Sequence, residues 1–519
     1  MAWIRSDKPR SESLIVCIVL PLERQMTEAV LDTHQMIVDG KLVDSLEQEW
    51  IAVENPAIKK PFARVPRARS ADVSIAVAAA RNAFRTWSRM AAGERGKLLH
   101  RIADALEKDI EAMARAISTE NGNALRTQSR AEAASAVDVF RYVAGLAREL
   151  KGKTAYLNPE TLDYTRREPY GVVGAIVPWN APLILSALKI APALMTGNTL
   201  VLKVSEEAPL AVLHLSRICN EHLPAGVLNV LTGYGVECGA ALVEHPDVPK
   251  ISFTGSTAVG RSILAAASQR IAAVTLELGG KSAQVVFPDV DHGFVADGVI
   301  TAMRFSRQGQ SCTAGSRLFV HESIADTFLD TLTAKLRKMV VGNPLDETTD
   351  SGSLVNARQF GRVCEYVREA IDRKPDSLIM GGLPPASGPL SEGYFFEPTV
   401  FFNLPDDVRM TREEVFGPVL SVSTWKTEAE VIERANASQY GLAAFVWSRA
   451  GAPALRLAHA LEVGWVLVNQ GGGQSIGHSY GGMKQSGAGR EFSLEGILES
   501  YTDIKQVSVS LGDQGFSRL

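Results

Sequence analysis

Apolar positions in the first third of the chain recur at helical spacing. Leu98, Leu99, Ile102, Leu106, Ile110, Met113 and Ile117 fall three and four apart, which predicts one amphipathic helix that stops at Asn121-Gly122. Ser70 is expected to cap an earlier helix carrying Val73, Ile75, Val77 and Phe84, and Ala134, Val137, Phe140 and Val143 mark a third. Ahead of them, the stretch from Met36 to Ile51 reads as a short strand pair with a turn at Asp39-Gly40.

From Tyr170 the period changes. Strand-like runs at 172–177, 199–202, 227–231 and 250–253 alternate with helical runs at 183–195, 208–223 and 240–244. Such alternation predicts a parallel sheet flanked by helices, and a second α/β stretch follows from about 280 to 490.

The chain has 519 residues, more than one ordinary core needs. Its 46% hydrophobic and 22% charged content is that of a soluble globular protein, and a net charge of −4 offers no pull toward nucleic acid or an anionic membrane. The apolar run 14–22 is far short of the roughly 20 residues that span a bilayer. Arg5, Lys8 and Arg10 precede it, but no small-residue cleavage site follows, so residues 1–25 read as a disordered or non-native leader with Met26 as an alternative start. Cys17, Cys219, Cys238, Cys312 and Cys364 include no CxxC pair. Neither a metal site nor a disulfide framework is expected, and the pattern suits a reducing cytoplasm.

Two glycine-bearing turns follow strands. Gly233-Tyr-Gly235-Val-Glu-Cys-Gly239 lets backbone approach a phosphate at a helix start, although its spacing is not the usual dinucleotide fingerprint. Phe253-Thr254-Gly255-Ser256-Thr257 offers amides and hydroxyls for a pyrophosphate. Lys203 and Glu206, at the end of a buried strand, are placed to bond a ribose, and the acidic group there favours NAD over NADP. Each of these features is also what an ordinary βα loop or a strand-end ion pair looks like.

Three further segments change the weighting: Val177-Pro178-Trp179-Asn180-Ala181-Pro182, Leu276-Glu277-Leu278-Gly279-Gly280-Lys281 and Gln308-Gly309-Gln310-Ser311-Cys312-Thr313. With Glu413-Glu414-Val415-Phe416-Gly417-Pro418 and Gly481 to Glu491, in this order, the chain resembles the aldehyde dehydrogenase superfamily over about residues 36 to 510. The resemblance implies an α/β fold: a Rossmann-like NAD-binding domain from 26–150 and 170–279, an α/β catalytic domain from 280–490, and a small β oligomerisation segment from 151–169 and 491–519. It implies Cys312 as nucleophile, since a thiolate attacks a carbonyl readily. It implies Glu277 as the general base for hydrolysis, and Asn180 with the Cys312 N–H as oxyanion donors. Lys189 and Glu491 match positions of proton relay. The cofactor would be NAD, with NADP as the alternative, held by Val177, Pro178, Trp179, Lys203, Glu206, Gly235, Gly239, Phe253, Gly255, Ser256, Leu278, Glu414 and Phe416. A small-molecule aldehyde is the expected substrate, with no nucleic-acid or membrane partner, and a homodimer or homotetramer is the expected assembly.

The pattern departs from the family at a few places. Arg307 stands where many members carry Asn, and Ser306, Ala181 and Leu188 replace tunnel aromatics. Tyr480 is the one ring in its glycine-rich loop, which disfavours a quaternary-ammonium substrate. Arg304 and Arg307 raise an acidic semialdehyde as an alternative substrate, against internal salt bridging. A catalytically silent member of the fold is the other alternative. Glu277 argues against acyl transfer to coenzyme A, because acylating relatives generally lack it.

Overall fold

Five buried strands make the parallel centre of an eight-stranded sheet in the order Ala273–Glu277, Lys250–Thr254, Val172–Ile176, Thr199–Lys203 and Leu228–Leu231. The computed structural model describes residues 31–511, so the expected leader at 1–25 and the end of the tail at 512–519 lie outside the described residues. These strands are buried, save the first two residues of Ala273–Glu277 and the end of Val172–Ile176, because helices cover each side of the sheet. The hairpin Met36–Val38 with Lys41–Val43 adds antiparallel strands at one edge, turning at Asp39 and Gly40 in left-handed conformation. At the other edge Gly487–Ala488 returns from late in the chain to pair with Leu276 and Glu277.

Chain order reverses at Val172–Ile176, where successive strands run outward to either side. In open parallel sheets this switch point opens a crevice at the carboxyl ends of the strands, and ligands bind there. Val177 to Asn180 and Gly255 sit at those ends.

A seven-stranded sheet follows, in the order Leu378–Met380, Thr399–Phe402, Val419–Trp425, Arg317–His321, Ala283–Val286, Ala443–Trp447 and Trp465–Val468, parallel except at its first strand. Cys312 and Phe416 each lie just before one of its strands. The site therefore draws on the carboxyl ends of one sheet and the amino ends of the other.

A third sheet pairs Thr502–Ser510 with Thr161–Pro169 along nine residues, and Thr154–Ala155 extends it.

Two local expectations are corrected. The stripe from Leu98 to Ile117 belongs to two helices, Ala92–Glu107 and Ile110–Asn121. The break at Lys108-Asp109 keeps Leu106 and Ile110 one turn apart, so the apolar period runs through it unchanged. There the Asp109 carboxylate meets His214 Nε2 at 2.9 Å. The helix Ser70–Trp87 is capped from Arg69 and not Ser70, because the Asp72 carboxylate accepts the Arg69 N–H at 2.9 Å. The stop at Gly122, in left-handed conformation, is as expected.

Candidate active site

Asn180 is held from behind. Asn121 Nδ2 donates to the Trp179 carbonyl at 3.2 Å, and Asn123 Nδ2 donates to the Asn180 carbonyl at 3.3 Å. The buried Asn180 side chain donates from Nδ2 to the Gln310 carbonyl at 3.1 Å, which places its amide two residues before Cys312.

The loop leading to Cys312 is tightly wound. Arg304, Gln308 and Gly309 are all left-handed, at φ 60°, 52° and 64°. A non-glycine residue so placed costs roughly 1–3 kcal/mol and persists only where its surroundings demand it. At Gly309 a side chain would overlap the Gly417 carbonyl, so glycine is required. Gln310 Oε1 accepts the Val355 N–H at 3.1 Å and pins the loop to the chain beyond it.

Cys312 itself is half-buried. Among the described residues nothing accepts a hydrogen bond from its N–H. Its sulfur lies 3.7 Å from the Tyr480 hydroxyl. Burial pushes the thiol up to about 11; the Tyr480 contact and Arg304 pull it down, while Glu414 and Glu277 push it up further. Cys219 and Cys238 are wholly buried in apolar surroundings, and burial raises both thiols.

Glu277 ends the strand Ala273–Glu277 and is 4% exposed. Among the described residues neither of its carboxylate oxygens has a hydrogen-bond partner. Burial holds its pKa well above the ordinary value, Glu491 adds to that, and Lys189 and Arg490 oppose it. Lys189 and Glu491 form an ion pair with both side chains buried. Lys250, pushed down to about 7 by burial, faces the same pair.

Several residues expected to hold a cofactor stand at or just beyond the carboxyl ends of the parallel strands Thr199–Lys203, Lys250–Thr254 and Ala273–Glu277. Lys203 Nζ meets Glu206 Oε2 at 2.7 Å. Ser256 caps the twelve-residue helix Thr257–Ser268, accepting the Val259 N–H, and the buried Thr254 hydroxyl beside it has no partner among the described residues. A side chain at Gly255 would close on the Phe253 ring at 2.5 Å. Leu278 packs under Gly260 of the same helix. Glu414 accepts the Gly280 N–H at 2.9 Å and is pushed up to about 7 by burial. Phe416, left-handed at φ 60°, meets the Trp179 ring edge-on at 5.4 Å, beside Val177 and Pro178.

The other glycine turn behaves differently. A side chain at Gly233 would come within 2.8 Å of the Ala68 carbonyl, whereas Gly235 faces open space and Gly239 only touches Ile176 at 3.7 Å. Crowding therefore demands Gly233, whereas no protein atom crowds Gly235 or Gly239. Val236, in the glycine turn 233–239, and Val259, in the helix Thr257–Ser268, leave apolar side chains 85% and 47% exposed, and the sequence flagged neither.

Arg304 and Arg307 are both engaged internally. Arg304 donates to the Gly471 and Gly472 carbonyls at 3.2 and 2.7 Å. Arg307 pairs with buried Glu132 at 3.2 Å, and Glu132 in turn accepts the Leu183 N–H at the start of the helix that carries Lys189. Ser306 accepts from Gln128 Nε2 at 2.6 Å. Ala181 and Leu188 are buried. Tyr480 is not a solitary ring: Trp465 and Phe492 pack against it at 6.0 and 5.0 Å. A cleft of about 530 Å³ lies away from Cys312, among Arg317, Asp406, Arg412 and Arg434.

A thiol, a buried carboxylate and an amide gathered where two parallel sheets meet define a class of cysteine-centred α/β protein. The chain belongs to the aldehyde dehydrogenase family, whose sequence profile matches residues 42–507. It is 41% identical over 488 residues to an aldehyde dehydrogenase of Emericella nidulans, covering 93% of this chain and 96% of that one. The human mitochondrial aldehyde dehydrogenase is 38% identical, with 92% of each chain covered. The structure of an aldehyde dehydrogenase from Bacillus cereus in complex with NAD superposes with a TM-score of 0.89 at 36% identity, covering 93% of this chain and 97% of that one.

Proposed function

We propose that the protein oxidises an aldehyde to a carboxylic acid with NAD, through a covalent adduct on Cys312. The observation that carries this reading is the trio at the sheet junction. Among the described residues the Cys312 N–H and both Glu277 carboxylate oxygens have no partner, and the Asn180 amide bonds the carbonyl two residues before Cys312.

The residues around the crevice fit a dinucleotide. Lys203 and Glu206 would bond the adenosine ribose, and the amides near Gly255 and Ser256 would receive phosphate. Val236 and Val259 give the adenine an apolar seat. Glu414 would hold the second ribose, with Phe416 and Trp179 against the nicotinamide. Bound NAD supplies the hydride acceptor.

The chain's own residues do the rest. The Cys312 sulfur adds to the aldehyde carbon, and the thiol proton leaves to Glu277 or solvent. The carbonyl oxygen becomes an oxyanion received by Asn180 Nδ2 and the Cys312 N–H; one such donor is worth about 3 kcal/mol. Once hydride has left, Cys312 carries a thioester. Glu277 then takes a proton from the attacking water, the C–S bond breaks, and the carboxylate departs. The buried Lys189–Glu491 pair lies beside Glu277 to pass that proton on.

The acidic semialdehyde alternative loses its support, because both arginines that suggested it are bonded to Glu132, Gln128 and backbone carbonyls. The aromatic group around Tyr480 instead favours an apolar or aromatic aldehyde. A catalytically silent member would have no use for an unpartnered buried carboxylate. We infer a reducing compartment such as the cytoplasm from the free thiols, and among the described residues no helix is long and apolar enough to cross a membrane.

We also infer an oligomer. The third sheet exposes both faces of Thr502–Ser510, with Ile504, Tyr156 and Leu157 58%, 82% and 77% exposed, and a second copy would cover them. Solution mass showing only monomer overturns that inference. The catalytic reading is tested by NADH formation across an aldehyde panel: Cys312→Ala should lose activity by about a thousandfold or more, and full turnover without the thiol overturns it.

A further inference from the structure

The Tyr480 hydroxyl is the one hydrogen-bonding group at the Cys312 sulfur among the described residues, at 3.7 Å. We propose that Tyr480 donates this hydrogen bond to the ionised sulfur and so sustains the nucleophile, a role that rests on Cys312 being the attacking group.

The surroundings of the sulfur make such a donor necessary. The charged groups that face it are Glu414, Glu277 and Arg304. Both carboxylates oppose ionisation, burial opposes it more strongly, and the Arg304 guanidinium is already donating to the Gly471 and Gly472 carbonyls. A neutral phenol adds a donor without adding a charge to be buried. Tyr480 stays protonated through the working range, because burial, with the Cys312 and Glu277 charges, holds it well above its ordinary pKa.

The hydroxyl is also held in place. Tyr480 is 5% exposed and wedged between Trp465 and Phe492. Its backbone exchanges both hydrogen bonds with Glu491, at 3.1 and 2.7 Å. One strand bridge thus fixes both the phenol at Cys312 and the carboxylate that pairs with Lys189. Phenylalanine would fill the same space but leave the sulfur without its donor.

The test reads the thiolate directly. Alkylation by iodoacetamide at pH 8 should be about tenfold slower in Tyr480→Phe, the effect of raising the thiol by about one pH unit, since a bond to a charged group is worth at least that much. Cys312→Ala supplies the background from the other thiols. Uniform replacement of tyrosine by 3-fluorotyrosine makes every phenol a better donor; it should speed alkylation in the parent protein and leave Tyr480→Phe unmoved, which a packing role would not produce. Equal rates in parent and Tyr480→Phe, or a fluorotyrosine effect that is absent in the parent or the same in both, overturn the proposal. Should Tyr480→Phe fail to fold, the fluorotyrosine effect in the parent decides alone. Full turnover by Cys312→Ala is a separate result, which removes the nucleophile reading itself.

Discussion

Lys189 and Glu491 pair beneath Glu277 with both side chains out of solvent, although 302 residues separate them in the chain. Removing one partner strands a buried charge, which typically costs about 3–5 kcal/mol, whereas replacing both with apolar residues costs far less. Lys189→Met alone should therefore destabilise more than the double variant Lys189→Met/Glu491→Leu, measured by denaturant unfolding. Glu491→Gln has a second effect. Glu491 pushes the Glu277 pKa up, so losing the Glu491 charge lowers it while the downward pull of Lys189 remains. If Glu277 must be ionised to act, the acid limb of the kcat profile should move to lower pH in Glu491→Gln, and a limb that stays or moves up counts against the assignment.

Asn180 should matter to the chemical step more than to binding. Its Nδ2 bonds the Gln310 carbonyl at 3.1 Å, an anchor that keeps the amide facing the residue two positions on. Asn180→Ala should lower kcat by about 10²–10³-fold with little change in KM, the usual loss for one oxyanion donor. A change confined to KM, read from steady-state NADH production, would assign Asn180 to substrate binding instead.

Glu206 should set the cofactor preference. Its carboxylate bonds Lys203 at 2.7 Å and remains partly exposed at the mouth of the crevice. A 2′-phosphate brought beside it meets like charge. Glu206→Gln frees Lys203 and should improve kcat/KM for NADP relative to NAD by about tenfold or more, an effect that weakens in high salt. An unchanged ratio would show that selectivity is set elsewhere.

The trio proposed for catalysis could be singled out because each member sits in a contiguous motif whose neighbours are distinctive: Pro178-Trp179-Asn180, Leu276-Glu277-Leu278 and Gln310-Ser311-Cys312. The parallel strands were legible because short apolar-rich segments alternate with helical runs and most of their residues are buried. What the sequence hid are relationships made only by folding. The break at Lys108-Asp109 left the apolar stripe in phase, so no periodicity could show it. Arg307 looked like a substrate contact because its partner Glu132 is 175 residues away, and the contact of the Tyr480 hydroxyl with Cys312 spans 168 residues. Asn121 was read as a helix stop, which it is, but its amide also holds the Trp179 carbonyl.

Glu120 supplies a prediction about stability that is independent of the chemistry. Its fully buried carboxylate accepts the Leu210 and Ala211 N–H groups at 2.6 and 3.0 Å and so caps the helix Leu210–His222. Burial outweighs those two bonds and pushes its pKa from 4.5 up to about 8. In that interval the folded chain holds a proton that the unfolded chain has released. The contribution to stability is therefore full below pH 4.5, declines as pH rises toward 8, and is flat beyond. Integrated over the window it is on the order of a few kcal/mol. Glu120→Gln carries no such proton. Its melting temperature relative to the parent should rise steadily from pH 5 to pH 8, and a constant difference across that range would mean the carboxyl is already ionised in the folded protein.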